Sequence, residues 1–107
     1  MKAKKRSVIR QGDVLLVPVA ALPEGAKAIE SKDRVVLAYG EVTGHAHAIY
    51  DTTKARLWDA GVERFLQVLE PCALAHEEHT HKLLEPGIYH LPHQVEYTPA
   101  ELVRVTD

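Results

Sequence analysis

Apolar positions along the chain fall into short runs that are separated by glycine, proline and aspartate. The runs Val14–Val19 and Arg34–Tyr39 are rich in β-branched residues, which is typical of strands. Further strands are predicted at residues 45–50, 56–59, 72–77, 87–97 and 101–105. About eight short strands with turns between them and little helix predict an all-β fold, either a small barrel or a sandwich.

The segment from Val62 to Glu70 fits two patterns. Its apolar residues, among them Phe65 and Leu69, recur at helical spacing. The segment has only nine residues between a glycine and a proline, and its neighbours are predicted strands. Because an isolated helix of that length is marginal, we predict a strand here as well.

The length of 107 residues and an apolar content of 46% predict one domain with a packed core. Lysine and arginine crowd the first six positions, so residues 1–7 are predicted to form a basic flexible tail on a single β domain, residues 8–107. The net charge of −2 gives no overall field that would recruit nucleic acid or an anionic membrane.

The expected cellular location follows from the single cysteine and from the absence of a long apolar run. Cys72 is the only cysteine, so no disulfide can form within the chain, which favours a reducing cytoplasm. The longest apolar run, Val14–Leu22, contains a proline and is too short to cross a bilayer. We therefore predict a cytoplasmic protein without membrane attachment; self-association stays open.

Seven histidines stand out against this background, and five of them occupy two short clusters. His45 and His47 alternate along a predicted strand, which places both imidazoles on one face, roughly 7 Å apart. His76 and His79 lie where the next predicted strand ends and flank Glu77 and Glu78. Small residues beside both clusters leave room for an ion or a ligand.

These residues predict a metal site. His45, His47, His76 and His79 are the expected ligands of one divalent ion, most simply zinc, with iron or manganese also suited to such donors. Glu77 or Glu78 would be a further ligand or a general base, and His79 is a further catalytic candidate. The roles of His81, His90 and His93 stay open.

Two other interpretations of the clusters need no metal catalysis. Two histidines in one pocket can form a general acid–base pair, as in ribonuclease-type transesterification of RNA. The cation that would hold the phosphate could come from Arg56, Arg64, Lys82 or Arg104. Alternatively, the histidines bind a metal or a ligand in a non-catalytic module.

Two sequence runs carry a partial family resemblance. Gly44-His45-Ala46-His47 resembles the His-x-His motif of cupins, and Glu85–His90 is similar to part of their second motif with one residue missing. That resemblance implies a double-stranded β-helix barrel with a metal in its mouth. The runs Gly-Glu-Val-Thr-Gly-His-x-His and His-Glu-Glu-His also resemble those of a group of small uncharacterised bacterial proteins.

Taken together, the sequence predicts a small histidine-rich β domain that acts as a metal-dependent hydrolase. A phosphodiester, either RNA or a small molecule, is the expected substrate.

Overall fold

The computed structural model describes residues 7–39 and 45–92, together with the backbone of two strands at 95–97 and 102–104. Residues 1–6 of the predicted tail, Gly44 and His93 lie outside the described residues. The described residues form these strands: β1 (Ile9–Gln11), β2 (Val14–Val19), β3 (Lys27–Ile29), β4 (Val35–Tyr39), β5 (Ala46–Ile49), β6 (Ala55–Ala60), β7 (Glu63–Val68), β8 (Cys72–Leu74), β9 (Lys82–Leu84), β10 (Gly87–Leu91), β11 (Val95–Tyr97) and β12 (Leu102–Arg104).

This architecture confirms the all-β prediction. The described part of the chain contains no helix, and the ambiguous segment is the strand β7. The described strands outnumber the predicted set of about eight, because β1, β3 and β9 lie where no strand was predicted and the run predicted at 87–97 is divided into β10 and β11. No helix that is long and apolar enough to cross a membrane occurs among the described residues.

Six strands form the largest sheet, in the antiparallel order β1-β2-β10-β7-β6-β3. Three smaller pairs accompany it: β4 with β5, β8 with β9, and β11 with β12. The large sheet has free ends at β1 and β3, so the described strands form a sandwich-like arrangement rather than a closed barrel. Of the two predicted architectures the sandwich is therefore correct, and the barrel that the cupin motif implied is not formed.

The core lies between the strands and follows their alternation. In β2, Val14 and Leu16 are buried while Leu15, which lies between them, is partly exposed. Leu66 and Tyr89 are fully buried, and the Tyr89 hydroxyl donates a hydrogen bond of 2.7 Å to the Glu85 carbonyl. This bond satisfies the one polar atom of a large apolar side chain in the interior.

A short backbone bridge joins the two histidine-bearing segments. Ala48 of β5 and Ala75, just after β8, exchange two backbone hydrogen bonds of 2.9 and 2.8 Å. The strand predicted at 72–77 therefore ends its regular part at Leu74, and its continuation pairs with β5 instead. Because residues adjacent to a bridge lie close together, this pairing brings His76 beside His47.

Candidate functional site

Four of the predicted site histidines converge in space. His76 is the central one: its ring centroid lies 4.2 Å from that of His47, 4.7 Å from that of His79 and 5.7 Å from that of His45. The rings of His47 and His79 are stacked with their centroids 5.9 Å apart. We call His45, His47, His76 and His79 the histidine cluster.

Three side chains in and beside the cluster offer donor atoms at metal-binding separation. His45, His76 and Glu77 each present one ligand atom, and these three atoms lie within 4.8 Å of one another. Tetrahedral zinc with bonds of about 2.0–2.1 Å would place its ligand atoms roughly 3.3 Å apart. Side-chain rotations that close the gap by about 1.5 Å are therefore sufficient. His47 and His79 lie next to this group through their contacts with His76.

The two neighbouring glutamates occupy different environments. Glu77 accepts a hydrogen bond of 2.9 Å from the backbone N–H of Ala46. The pKa of Glu77 is held below its usual range by that bond, by the backbone N–H of Glu77 itself and by the nearby His45 and His76. The side chain is therefore an anion that can bind a metal ion. Glu78 is exposed, as Glu77 is, but its Oε2 lies 3.6 Å from Nδ1 of His45. Sequence analysis treated the two carboxylates as equivalent, and only the fold separates them.

His47 is buried and electrically neutral. Its side chain is only 4% exposed. Burial, followed by the neighbouring His76 and His79, lowers the pKa of His47 to about 4. At neutral pH the neutral form of this ring therefore predominates. A metal ion would therefore meet almost no competition from protons at His47.

Gln11 is a site residue that sequence analysis missed. It lies at the end of β1, is 1% exposed, and places its Oε1 2.8 Å from Nδ1 of His47. Its Nε2 donates to the carbonyls of Leu74 and Thr80 at 2.8 and 3.0 Å. The sequence showed only a polar residue before a turn, and no local pattern reveals partners more than sixty positions away.

The turn after Gln11 also contacts the cluster. Gly12 adopts a φ of 59°, and a Cβ built on it would lie 2.6 Å from Nε2 of His79. A glycine at this position therefore permits both the positive φ of the turn and the close approach of the His79 imidazole. The sequence indicated the turn but not the second role.

The other histidines have separate surroundings. His81 is exposed and lines a shallow recess of about 220 Å³ beside Cys72 and Lys54. On the large sheet, Nε2 of His90 lies 3.7 Å from a carboxylate oxygen of Glu63. The guanidinium of Arg64, one of the candidate phosphate-binding cations, donates instead to the carbonyl of Leu37.

Comparison with known proteins identifies a family without adding an activity. A family model described as "Domain of unknown function (DUF8820)" matches residues 10–94. No curated protein and no solved structure matches the chain. The matched range contains the histidine cluster, both glutamates and Gln11, so the candidate site belongs to the shared domain.

Proposed function

We propose that this chain, which belongs to the DUF8820 family, is a metal-dependent hydrolase with a divalent ion held by His45, His76 and Glu77. The observation that carries the proposal is the approach of these three donor atoms to within 4.8 Å of one another. Two imidazoles and a carboxylate suit zinc, and the same donor set also suits iron or manganese.

The surrounding residues support a reactive site rather than a closed structural one. Three protein ligands would leave a position open, and a divalent ion there lowers the pKa of a bound water toward neutrality. Glu78 is the general base in this proposal, because among the described residues its carboxylate accepts no backbone hydrogen bond like the one that Glu77 accepts from Ala46. His47, whose ring lies next to that of His76, can join as a fourth ligand, and a five-coordinate ion would still keep one position for water.

A phosphodiester substrate and a cytoplasmic location belong to the same proposal. Hydrolysis of phosphodiesters is a common use of a metal-activated water with an adjacent carboxylate. The location rests on Cys72, which is buried and whose thiol has a pKa raised by burial. Such a thiol suits a reducing compartment, where it stays an inert core residue.

One observation favours a second candidate, a metal-independent acid–base pair. The backbone N–H of Glu78 donates to Nδ1 of His76 at 3.0 Å, so the proton of the neutral ring lies on Nε2, and the general acid of the pair would be the imidazolium form of this ring. His47, 4.2 Å away between ring centroids, would be the base. We rank this candidate second, because an imidazole with a pKa near 4 is a weak base at neutral pH.

The test combines metal analysis with a substrate panel. Purified protein, before and after reloading with zinc, iron or manganese, is analysed by elemental mass spectrometry. The expected result is about one ion per chain, lost in His76→Ala and kept in His81→Ala, a matched change at an exposed histidine outside the cluster. RNA, a cyclic nucleotide and a simple phosphodiester are then offered with and without chelator.

Each outcome has a distinct meaning. Turnover that chelator abolishes and metal restores supports the proposal. Turnover that chelator leaves unchanged, together with its loss in both His47→Ala and His76→Ala, would favour the acid–base pair. Metal at one ion per chain without turnover of any substrate would favour a binding module. Far less than one ion per chain after reloading would contradict the metal site itself.

A further inference from the structure

We propose that Gln11 is a positioning residue that fixes the tautomer of His47 and so presents a bare Nε2 to the histidine cluster. The part of this inference that concerns metal affinity rests on the proposed function. The part that concerns the tautomer stands on the hydrogen bonds alone. The two parts can therefore fail separately.

The orientation of the Gln11 amide follows from its partners. Its nitrogen lies 2.8 Å from the Leu74 carbonyl and 3.0 Å from the Thr80 carbonyl. Both partners can only accept hydrogen bonds, so the NH₂ group must face them. A flipped amide would set its oxygen against two carbonyl oxygens. The Gln11 oxygen consequently faces His47.

The tautomer of His47 follows from that orientation. An amide oxygen can only accept, and it lies 2.8 Å from Nδ1 of His47. Nδ1 must therefore carry the proton that the hydrogen bond needs. Since a neutral imidazole has one such proton, Nε2 is left with a free lone pair. A lone pair at Nε2 is the form of histidine that binds a metal ion or accepts a proton.

The Gln11 side chain is held rigidly enough by burial and hydrogen bonds to fix the orientation of His47. Its side chain is 1% exposed and bonded to three chain segments, so it has no room to rotate. The oxygen that accepts from His47 is therefore held by the same carbonyls that hold the nitrogen. Histidine ligands in metalloproteins commonly donate their second ring N–H to such an acceptor, which sets the ring orientation.

The primary experiment reads the tautomer directly in metal-free, chelator-treated protein at neutral pH. Long-range ¹⁵N–¹H correlation spectra of uniformly labelled protein distinguish the Nδ1–H form from the Nε2–H form. We expect the full Nδ1–H signature for His47 in the natural sequence. An Nε2–H signature, or a mixture of the two forms, would overturn the proposal without any variant being needed.

Variants then test whether Gln11 is the cause. Gln11→Met keeps the length of the side chain and removes both hydrogen-bonding groups, so we expect a mixture of His47 tautomers. Gln11→Glu keeps an acceptor for Nδ1–H, and its second oxygen can donate to the Leu74 or Thr80 carbonyl when the carboxyl is protonated, so in that form the Nδ1–H tautomer should return. The matched control is Gln67→Met, since Gln67 accepts from Nε1 of Trp58 on the large sheet. A Gln11→Met protein that melts earlier but keeps pure Nδ1–H would show a structural role only and contradict the proposal.

Metal affinity provides the second readout. If the proposed metal site is real, Gln11→Met should weaken zinc binding by about 10–100-fold and Gln67→Met should leave it unchanged. Unchanged zinc affinity in Gln11→Met would contradict positioning of a ligand. If no metal binds to the natural sequence, the proposed function fails, while the tautomer spectra still decide the role of Gln11. If Gln11→Met does not fold, the spectrum of the natural sequence and that of Gln11→Glu decide it.

Discussion

The histidine cluster has a buried side and an exposed side that differ in how they are held. On the buried side, His47 lies on β5 and is fixed by Gln11, which reaches it from β1. On the exposed side, Glu78 and His79 lie in the loop between β8 and β9 and face solvent. The contrast indicates different roles for the two sides: buried hydrogen bonds of Gln11 hold His47, while the loop supplies the proposed ligands His76 and Glu77 and the exposed groups that would meet the substrate.

The largest expected effect separates the two glutamates. Glu78→Gln should leave metal content intact and lower hydrolytic activity by roughly 10²–10⁴-fold, because it removes only the proposed base. Glu77→Gln should lower metal content as well, since it replaces an anionic ligand that Ala46 holds in place. Metal analysis and activity assays on both variants check this prediction. Equal loss of metal in the two would show that the fold does not distinguish them.

A smaller effect concerns the buried side and acidic pH. His47 has a pKa of about 4 in the folded chain against an ordinary value of 6.5. The unfolded chain therefore binds more protons between these values, and the free energy of unfolding should fall as pH drops from 6.5 to 4. After allowance for solvent screening, the loss is on the order of 2 kcal/mol.

Urea denaturation of chelator-treated protein across that pH range measures the loss. His47→Asn is the control, because an asparagine N–H can donate to Gln11 and does not titrate. Its profile should be flatter above pH 4.5, the ordinary pKa of Glu77. Glu77 and Asp51 have lowered pKa values, so their contributions are lost only at more acidic pH. A flat profile for the natural sequence above pH 4.5 would contradict the prediction.

A third prediction tests how the β1–β2 turn supports the exposed side. Gly12→Ala and Gly61→Ala both place a side chain at positive φ, 59° and 80°, and each should cost about 1 kcal/mol or somewhat more. Only the new Cβ at position 12 meets His79, while nothing lies within 4 Å at position 61. Thermal melts should therefore be similar. Zinc affinity and the ring signals of His79 should change in Gly12→Ala alone.

The sequence predicted the fold class well and its topology less well. Residue composition and flanking turn residues identified β2 and β4, and the short length between a glycine and a proline identified β7, because these signals are local. The choice between barrel and sandwich depends on which strands pair. The pairing of β2 with β10 joins positions about seventy residues apart, and no local pattern encodes it. Nonlocal pairing is therefore the part that sequence analysis left undecided.

The site was predictable in its residue types but not in its detailed grouping. Strand alternation predicted that His45 and His47 would serve one ion from one face. The regular strand β5 begins only at Ala46, and the closest donor group contains His45 but not His47. The contact of Gln11 with His47 and that of Gly12 with His79 could not be predicted from the sequence, because each is made across the fold.

The smallest expected effect concerns one hydrogen bond, from the backbone N–H of Glu78 to His76, that links the two sides of the cluster. In the metal-free chain the N–H of Glu78 donates to Nδ1 of His76 at 3.0 Å. A metal that binds Nδ1 would occupy the same lone pair. A metal that binds Nε2 would require the proton of the neutral ring to lie on Nδ1, which then cannot accept. Binding at His76 through either nitrogen must therefore break this bond.

Zinc titration followed by ¹⁵N–¹H spectra tests this consequence without an activity assay. The Glu78 amide signal should move and its hydrogen exchange should accelerate as one equivalent of zinc is added. The amide of Ala75, which donates to Ala48 in the bridge, is the internal control and should stay in place. If zinc binds at one ion per chain while the Glu78 amide is unchanged, His76 is not a ligand. The ion would then be held by the remaining members of the cluster, and the base assigned to Glu78 would have to be sought nearer to His47.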